Sequence, residues 1–239
     1  MKSLSYLVAC FGVISIAGLS QAVTFSWSGL SNDTGNMLGA SADFTAVGNV
    51  LTIVLTNTST GPSTSPADTL GTLVWDMSNA VTQPDGGNDV DQGASSVMQN
   101  NAIYGSAYDL DKEWMYEDAF TFLGIGFGHG VSSVGLGVFG TNEDTFYERM
   151  KGSGAAGSSM ADRFSISSAA GTTGAANNFP VVQNSITFTL VSDTAIELNS
   201  IGNVGFSFGS GAQTSSVPEP ATMTLLALGA AAIIKRRKR

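Results

Sequence analysis

Apolar side chains recur at every second position along much of this chain. In residues 50–56, Leu51, Ile53 and Leu55 share one face, and in residues 185–191, Ile186, Phe188 and Leu190 alternate with Ser185, Thr187 and Thr189. A period of two is the signature of a half-buried strand. Phe44 and Ala46 lead into Gly48-Asn49, a dipeptide suited to a tight hairpin turn, so the segment before it and residues 50–56 are expected to pair. Further strands are predicted at 23–28, 70–76, 120–127, 134–139, 163–167 and 204–208. Two charged stretches, 108–120 and 143–151, break the alternation and are expected to hold a turn or two of helix on connections. Tracts of Gly, Ala, Ser and Thr at 57–66, 152–159 and 167–178 offer little to bury and read as loops. Many short strands with few helix-favouring segments predict an all-β body, a single β-sandwich of jelly-roll type spanning residues 23–210.

Both ends depart from this pattern. Lys2 is followed by an apolar run from Leu4 to Leu19 and by Ser20-Gln21-Ala22, so residues 1–22 read as a signal peptide cut between Ala22 and Val23 by signal peptidase. Leu7-Val8-Ala9-Cys10 matches a lipoprotein processing site, a rival reading, but too little apolar chain precedes Cys10 for it. At the other end, residues 211–217 form a linker. Val217, Pro218, Glu219 and Pro220 then give an extended segment that cannot join a sheet, because proline fixes φ and lacks a donor. The following apolar run begins at Ala221, includes Leu225, Leu226, Leu228, Ile233 and Ile234, and is closed by Lys235, Arg236, Arg237, Lys238 and Arg239. As a helix it would span roughly 21 Å, short of a hydrocarbon core of ~30 Å, and its cations would stay on the cytoplasmic side. An ordinary C-terminal membrane helix with a stop-transfer cluster is the alternative.

Pro-Glu-Pro at 218–220, a short apolar helix and a basic end, in that order, resemble the PEP-CTERM sorting tails of bacterial exported proteins. The resemblance implies recognition and cleavage by an exosortase, transient insertion of residues 218–239 in the inner membrane, and release of the body to the envelope, surface or extracellular matrix of a cell that secretes exopolysaccharide. The order of features in the body is also similar to that of exosortase-dependent surface proteins, and this likeness supplies no catalytic residues.

Setting the ends aside changes the charge. Four bases, Lys112, Arg149, Lys151 and Arg163, face eighteen acids, a net charge of −14 for the body. A polyanionic surface repels phosphate backbones and anionic lipid, which argues against nucleic acid as a partner and leaves calcium and neutral or cationic glycans, exopolysaccharide among them. Cys10 is the only cysteine and leaves with the signal peptide, so disulfides, thiolate metal sites and cysteine catalysis are excluded from the mature protein.

Several motifs carry chemistry in other contexts. Gly135, Gly137 and Gly140 match a dinucleotide fingerprint but lack the helix and acid it needs. Gly205, Ser207 and Gly209 match a nucleophile elbow, yet no histidine follows, so Ser207 is expected to be a solvent-facing strand serine. His129, the only histidine, lies between glycines and is expected in a turn. Glu113 with Glu117 and Asp144 with Glu148 are spaced for one helix face, a solvated acidic surface rather than the facing carboxylates of a glycosidase. Asp85, Asn88, Asp89 and Asp91 in a Gly-rich loop offer the hard oxygen ligands that calcium takes, the one cofactor candidate. Trp114 and Tyr116, set among charges, are candidates for an exposed glycan-stacking pair. The function expected from these readings is a non-enzymatic structural or adhesive role. A calcium-stabilised carbohydrate-binding module is the alternative, and a glycan hydrolase ranks third.

Overall fold

A computed structural model describes residues 21–84, 90–91, 97–100, 102–103, 114–122, 124–133, 164–209 and 215–216. The strands are β1 (Gln21–Leu30), β2 (Met37–Val47), β3 (Val50–Asn57), β4 (Leu70–Asp76), β5 (Val90–Asp91), β6 (Val97–Gln99) and β7 (Ala102–Ile103). They continue with β8 (Met115–Phe122), β9 (Ile125–Ser132), β10 (Ile166–Ser167), β11 (Val181–Gln183), β12 (Ser185–Val191), β13 (Gly202–Phe208) and β14 (Ser215–Ser216). The described residues contain no α-helix, only short 3₁₀ turns at Pro66–Asp68, Gly174–Asn178 and Leu198–Ser200.

The first sheet has the order β1-β2-β3-β12-β5, every neighbour antiparallel. Its centre is the hairpin expected from sequence: Val47 pairs with Val50 across Gly48-Asn49, and Gly48 has φ +62°, the sign that primed hairpin turns require. Alternation then sorts the side chains. Leu51, Ile53 and Leu55 of β3 are fully buried, as are Ala40, Ala42 and Phe44 of β2 and Ile186, Phe188 and Leu190 of β12. The opposite face carries hydroxyls in register, Ser26 beside Ser41, Thr56 and Ser185, and Thr45 beside Thr52 and Thr189.

The second sheet is organised on β4. Along one edge β4 pairs with β13, which continues to β14; along the other it pairs with β9 through Thr72–Trp75 and with β10 at Leu70. β8 extends the sheet beyond β9, and β11, β6 and β7 extend it beyond β10. Residues Leu70 to Trp75 are buried on both faces. The chain passes from one sheet to the other at Asn184, whose φ of +75° sits between β11 and β12 and whose carbonyl accepts from the Asn57 amide. Aromatic rings join the sheets: Phe44 meets Trp75 edge-on with centroids 5.8 Å apart, and Trp27 meets Phe208 at 5.7 Å.

The all-β class therefore holds, and so do the strands expected at 70–76 and 185–191. The jelly-roll topology does not emerge from the strand order, because β1, β2 and β3 form a meander of sequence neighbours rather than the interleaved order of a double Greek key. Residues 120–127 are not one strand but the ends of the β8–β9 hairpin, turned at Gly124. The helix expected within 108–120 is replaced from Met115 onward by β8, whose register with β9 outweighs local preference. Part of the loop expected at 167–178 is regular, its start pairing as the end of β10 and its end forming a 3₁₀ turn. Ser215 and Ser216, expected in the linker, pair with Phe206 and Gly205. The segments 134–139 and 143–151 lie outside the described residues.

Trp75 packs on both Phe44 and His129 and is fully buried, so Trp75→Ala removes the ring that links the sheets. Urea unfolding is expected to show a loss of about 4 kcal/mol.

Candidate functional site

The most elaborate polar arrangement among the described residues is built on Asp68, which is 1 % exposed. Ser65 caps the turn at Pro66–Asp68: its hydroxyl accepts from the Ala67 amide, and the Asp68 carboxylate accepts from the Ser65 amide at 3.3 Å, a capping box. The same carboxylate accepts from the Thr34 hydroxyl at 2.5 Å, the Asn36 side-chain amide at 2.9 Å, and the Thr64 amide and hydroxyl at 3.0 and 2.8 Å. Burial alone pushes this carboxyl up, but the bonds from Thr34, Thr64 and Asn36 outweigh it and hold the group below the usual carboxylate range. Asn57, also buried, donates to the Asp68 and Ile166 carbonyls and so ties β3 and β10 to the turn. Close backbone contact fixes the loop further, since a Cβ at Gly209 would come within 2.7 Å of Ala67 and one at Gly174 within 2.8 Å of the Thr64 carbonyl.

Beside Asp68 opens a concavity of about 230 Å³, lined by Met37, Leu38, Ser59, Thr60, Pro62 and Thr64 among others. Its wall sets the hydroxyls of Ser59, Thr60 and Thr64 beside the apolar side chains of Met37, Leu38 and Pro62. The only carboxylate in it is saturated by five internal donors, so it is an anchor for the loop and not a free base or cation ligand. By composition most of this segment reads as a loop, although Ser65-Pro66-Ala67-Asp68 carries the S-x-x-D capping signal that marks it.

His129 is not in a turn. It lies on β9, 6 % exposed, stacked on Trp75 and Tyr116 with centroids 5.7 and 6.1 Å away. The Tyr116 hydroxyl is 2.7 Å from Nδ1 of His129 and 2.9 Å from the Val81 carbonyl. One hydroxyl proton cannot serve both, so a neutral Nδ1 takes it and a protonated ring releases it to Val81. Burial lowers the His129 pKa, opposed by Asp118, Asp76 and the carbonyls of Asn79 and Met77. Burial raises the pKa of Tyr116, and the charges of Asp118 and Glu117 add to it; burial and Asp118 also raise that of Glu117.

Trp114 corrects the expectation of an exposed stacking residue. It is 1 % exposed, its indole N–H donates to the Phe164 carbonyl at 3.0 Å, and its ring packs on Phe188 at 5.3 Å. A ring enclosed on β12 has no face left for a sugar. Tyr116 is half-buried with its hydroxyl engaged. Ser207 is likewise buried rather than solvent-facing, paired with Thr72 near the end of β13, whereas a nucleophile elbow exposes its serine. Asp85, Asn88 and Asp89 lie outside the described residues, and for Asp91 only its backbone pairing with Thr187 is described. No group of three or more His, Cys, Asp and Glu side chains among the described residues is placed to hold a metal. Ala22 and Val23 pair with Thr45 and Phe44, so a cut between them has to precede pairing of β1. Val217, Pro218, Glu219, Pro220 and the apolar and basic positions after them lie outside the described residues, and no helix of the described residues is long and apolar enough to cross a membrane.

Asp68 and His129 give stability the same sign of pH dependence. Both groups have a folded pKa below the unfolded value, so the unfolded chain binds more protons and stability falls as pH falls. For His129 the loss begins near its unfolded pKa of about 6.5, and for Asp68 it begins near about 3.9. Thermal melts from pH 8 to 3 are expected to show both phases, with His129→Gln removing the upper one. Asp68→Asn, which cannot accept from all five donors, is expected to cost about 3 kcal/mol in urea unfolding at pH 7 and to abolish the lower phase.

No curated protein and no solved structure matches this chain. Residues 216–239 match the family described as the PEP-CTERM protein-sorting motif, beginning at the last residue of β14. The chain thus carries at its C-terminal end a PEP-CTERM sorting motif, the mark of an exosortase-targeted exported protein.

Proposed function

We propose that the chain is delivered through its tail to the cell surface or extracellular matrix, where the body has a non-enzymatic, structural or adhesive role. The observation that carries the reading is the sorting motif at 216–239, joined to the body without a spacer after β14. Signal peptidase removes residues 1–22, the tail inserts transiently with its cations in the cytoplasm, and exosortase acts at Pro-Glu-Pro. Two features of the body support a role without catalysis. The Asp68 carboxylate is consumed by internal donors, and His129 is enclosed by Trp75 and Tyr116. The outer face of the first sheet, with hydroxyls from four strands in register, suits contact with a neutral, hydrated matrix such as exopolysaccharide. It is the surface on which a carbohydrate-binding reading would rest now that Trp114 is buried.

Intact mass of the protein recovered from producing cells, fraction by fraction, tests the reading. Chains outside the inner membrane are expected to begin at Val23 and to lack the basic end. Replacing Pro218 and Pro220 by Ala is expected to trap the chain in the membrane fraction at a mass that includes Arg239. A full-length C-terminus in secreted or surface material sinks the proposal. Shortening of matrix polysaccharide by the purified protein, lost in Glu117→Gln, would replace the structural role with a hydrolytic one.

A further inference from the structure

The concavity beside Asp68 sits at the end of the first sheet where β2 begins and β3 has just ended. Its frame is ordered by the fold itself. The Gly39 amide donates to the Ser59 hydroxyl at 3.0 Å and the Thr58 amide to the Gly39 carbonyl at 2.8 Å, which ties the connection after β3 to β2. On the far side the Ser168 hydroxyl donates to the Gly61 carbonyl at 2.7 Å, the Ser63 amide donates to the Gly171 carbonyl, and the Ser63 carbonyl accepts from the Thr173 amide. A frame held this way loses little further freedom when a ligand enters. Around it several polar groups are uncommitted. The Thr60 hydroxyl and amide take part in no hydrogen bond among the described residues, and Thr60 is exposed. Asn36 commits its side-chain N–H groups to Thr64 and Asp68, which leaves Oδ1 able to accept. The Ser59 hydroxyl, an acceptor from Gly39, still has its own proton to give. Beside these groups Met37, 53 % exposed, and Pro62 offer apolar surface.

We propose that this concavity is a binding site for one neutral sugar ring, held by hydrogen bonds to Thr60, Ser59 and Asn36 Oδ1 with its C–H face against Met37 and Pro62. Three properties select that chemistry. Uncommitted donors and acceptors lie side by side, and a sugar hydroxyl both donates and accepts, whereas an apolar ligand would cover Thr60 and Asn36 without pairing them. No cation lines the concavity and its one carboxylate, Asp68, stays ionised, so a carboxylate or phosphate meets repulsion with nothing to offset it. At about 230 Å³ the space falls below the ~300–1,000 Å³ of drug-sized ligand sites, so it takes one ring and not several. The inference rests on the matrix-contact reading above and moves the sugar from the flat hydroxyl face to the concavity at its end. The two fail separately, because sorting is read by mass and this site by binding of a soluble probe.

Saturation-transfer NMR on the full chain, in a detergent without a sugar head group, tests the site. The probes are the methyl glycosides of glucose, galactose and mannose, each beside a linear hexasaccharide of the same sugar, with glucuronate as the anion. At least one neutral glycoside is expected to bind with a Kd on the order of 1 mM, and glucuronate is expected not to bind. Displacement of the hexasaccharide by its own methyl glycoside identifies the ligand as a chain end, and binding of the glycoside alone identifies it as a free sugar. Thr60→Val keeps the shape of an exposed residue and so the melting temperature, and is expected to weaken binding at least about fivefold. Met37→Ala, which removes the apolar wall, is expected to weaken it as well. The proposal is overturned if no neutral probe saturates below about 50 mM, if glucuronate binds as well as glucose, or if Thr60→Val binds like the wild type. Loss of binding in Thr52→Val but not in Thr60→Val also overturns it, because the sugar then lies on the outer face of the first sheet.

Discussion

The contact between Phe44 and Trp75 is the one on which the rest of the body depends. Without a disulfide, and without a helix among the described residues, the two sheets are held by the burial of their inner rows, and these rings occupy the middle of both. Phe44 is backed by Phe25, and Trp75 by His129 and Tyr116, so one aromatic column runs from the edge strand of the first sheet to β8 of the second. Apolar burial supplies the energy. Edge-on ring geometry makes the packing specific. The only histidine belongs to this column, so its titration is coupled to the packing of the core.

What the sequence disclosed follows from where each residue type has one plausible place. β3 and β12 were legible because alternating Leu, Ile and Phe against Thr and Ser admit only one orientation, and Gly48-Asn49 because few dipeptides turn a hairpin so tightly. β8 was not, because Glu117 and Asp118 sit beside Tyr116 and mimic a charged helix face, while the pairing that decides the matter comes from β9. Trp114 reads as exposed for the same reason. Its sequence neighbours are charged, but its spatial neighbours are Phe188 and the Phe164 carbonyl, some fifty and more positions away. Asp68 lay in a tract of small residues whose meaning is collective. Thr34, Asn36, Thr64 and Ser65 become a binding set only when the β1–β2 and β3–β4 connections meet.

The polar interior and the outer surface divide the acidic charge unevenly. Asp68 is spent on internal order and Asp76 accepts from the Gly128 amide and the Asn203 side chain, while the hydroxyl face of the first sheet holds Asp43 and, by register, Asp91 in one row with Thr24 and Thr187. The first sheet therefore presents a hydrated face on which hydroxyls outnumber charges, on a body of net charge −14.

β14 ends at Ser216, and a single residue, Val217, separates it from Pro218. At about 3.5 Å of reach per residue, whatever grips Pro-Glu-Pro comes within roughly one side-chain layer of the folded sheet. The leash is too short for the cargo to hang clear. The folded sheet and the sorting motif thus share one short stretch of chain, and a partner of the motif meets the body as well.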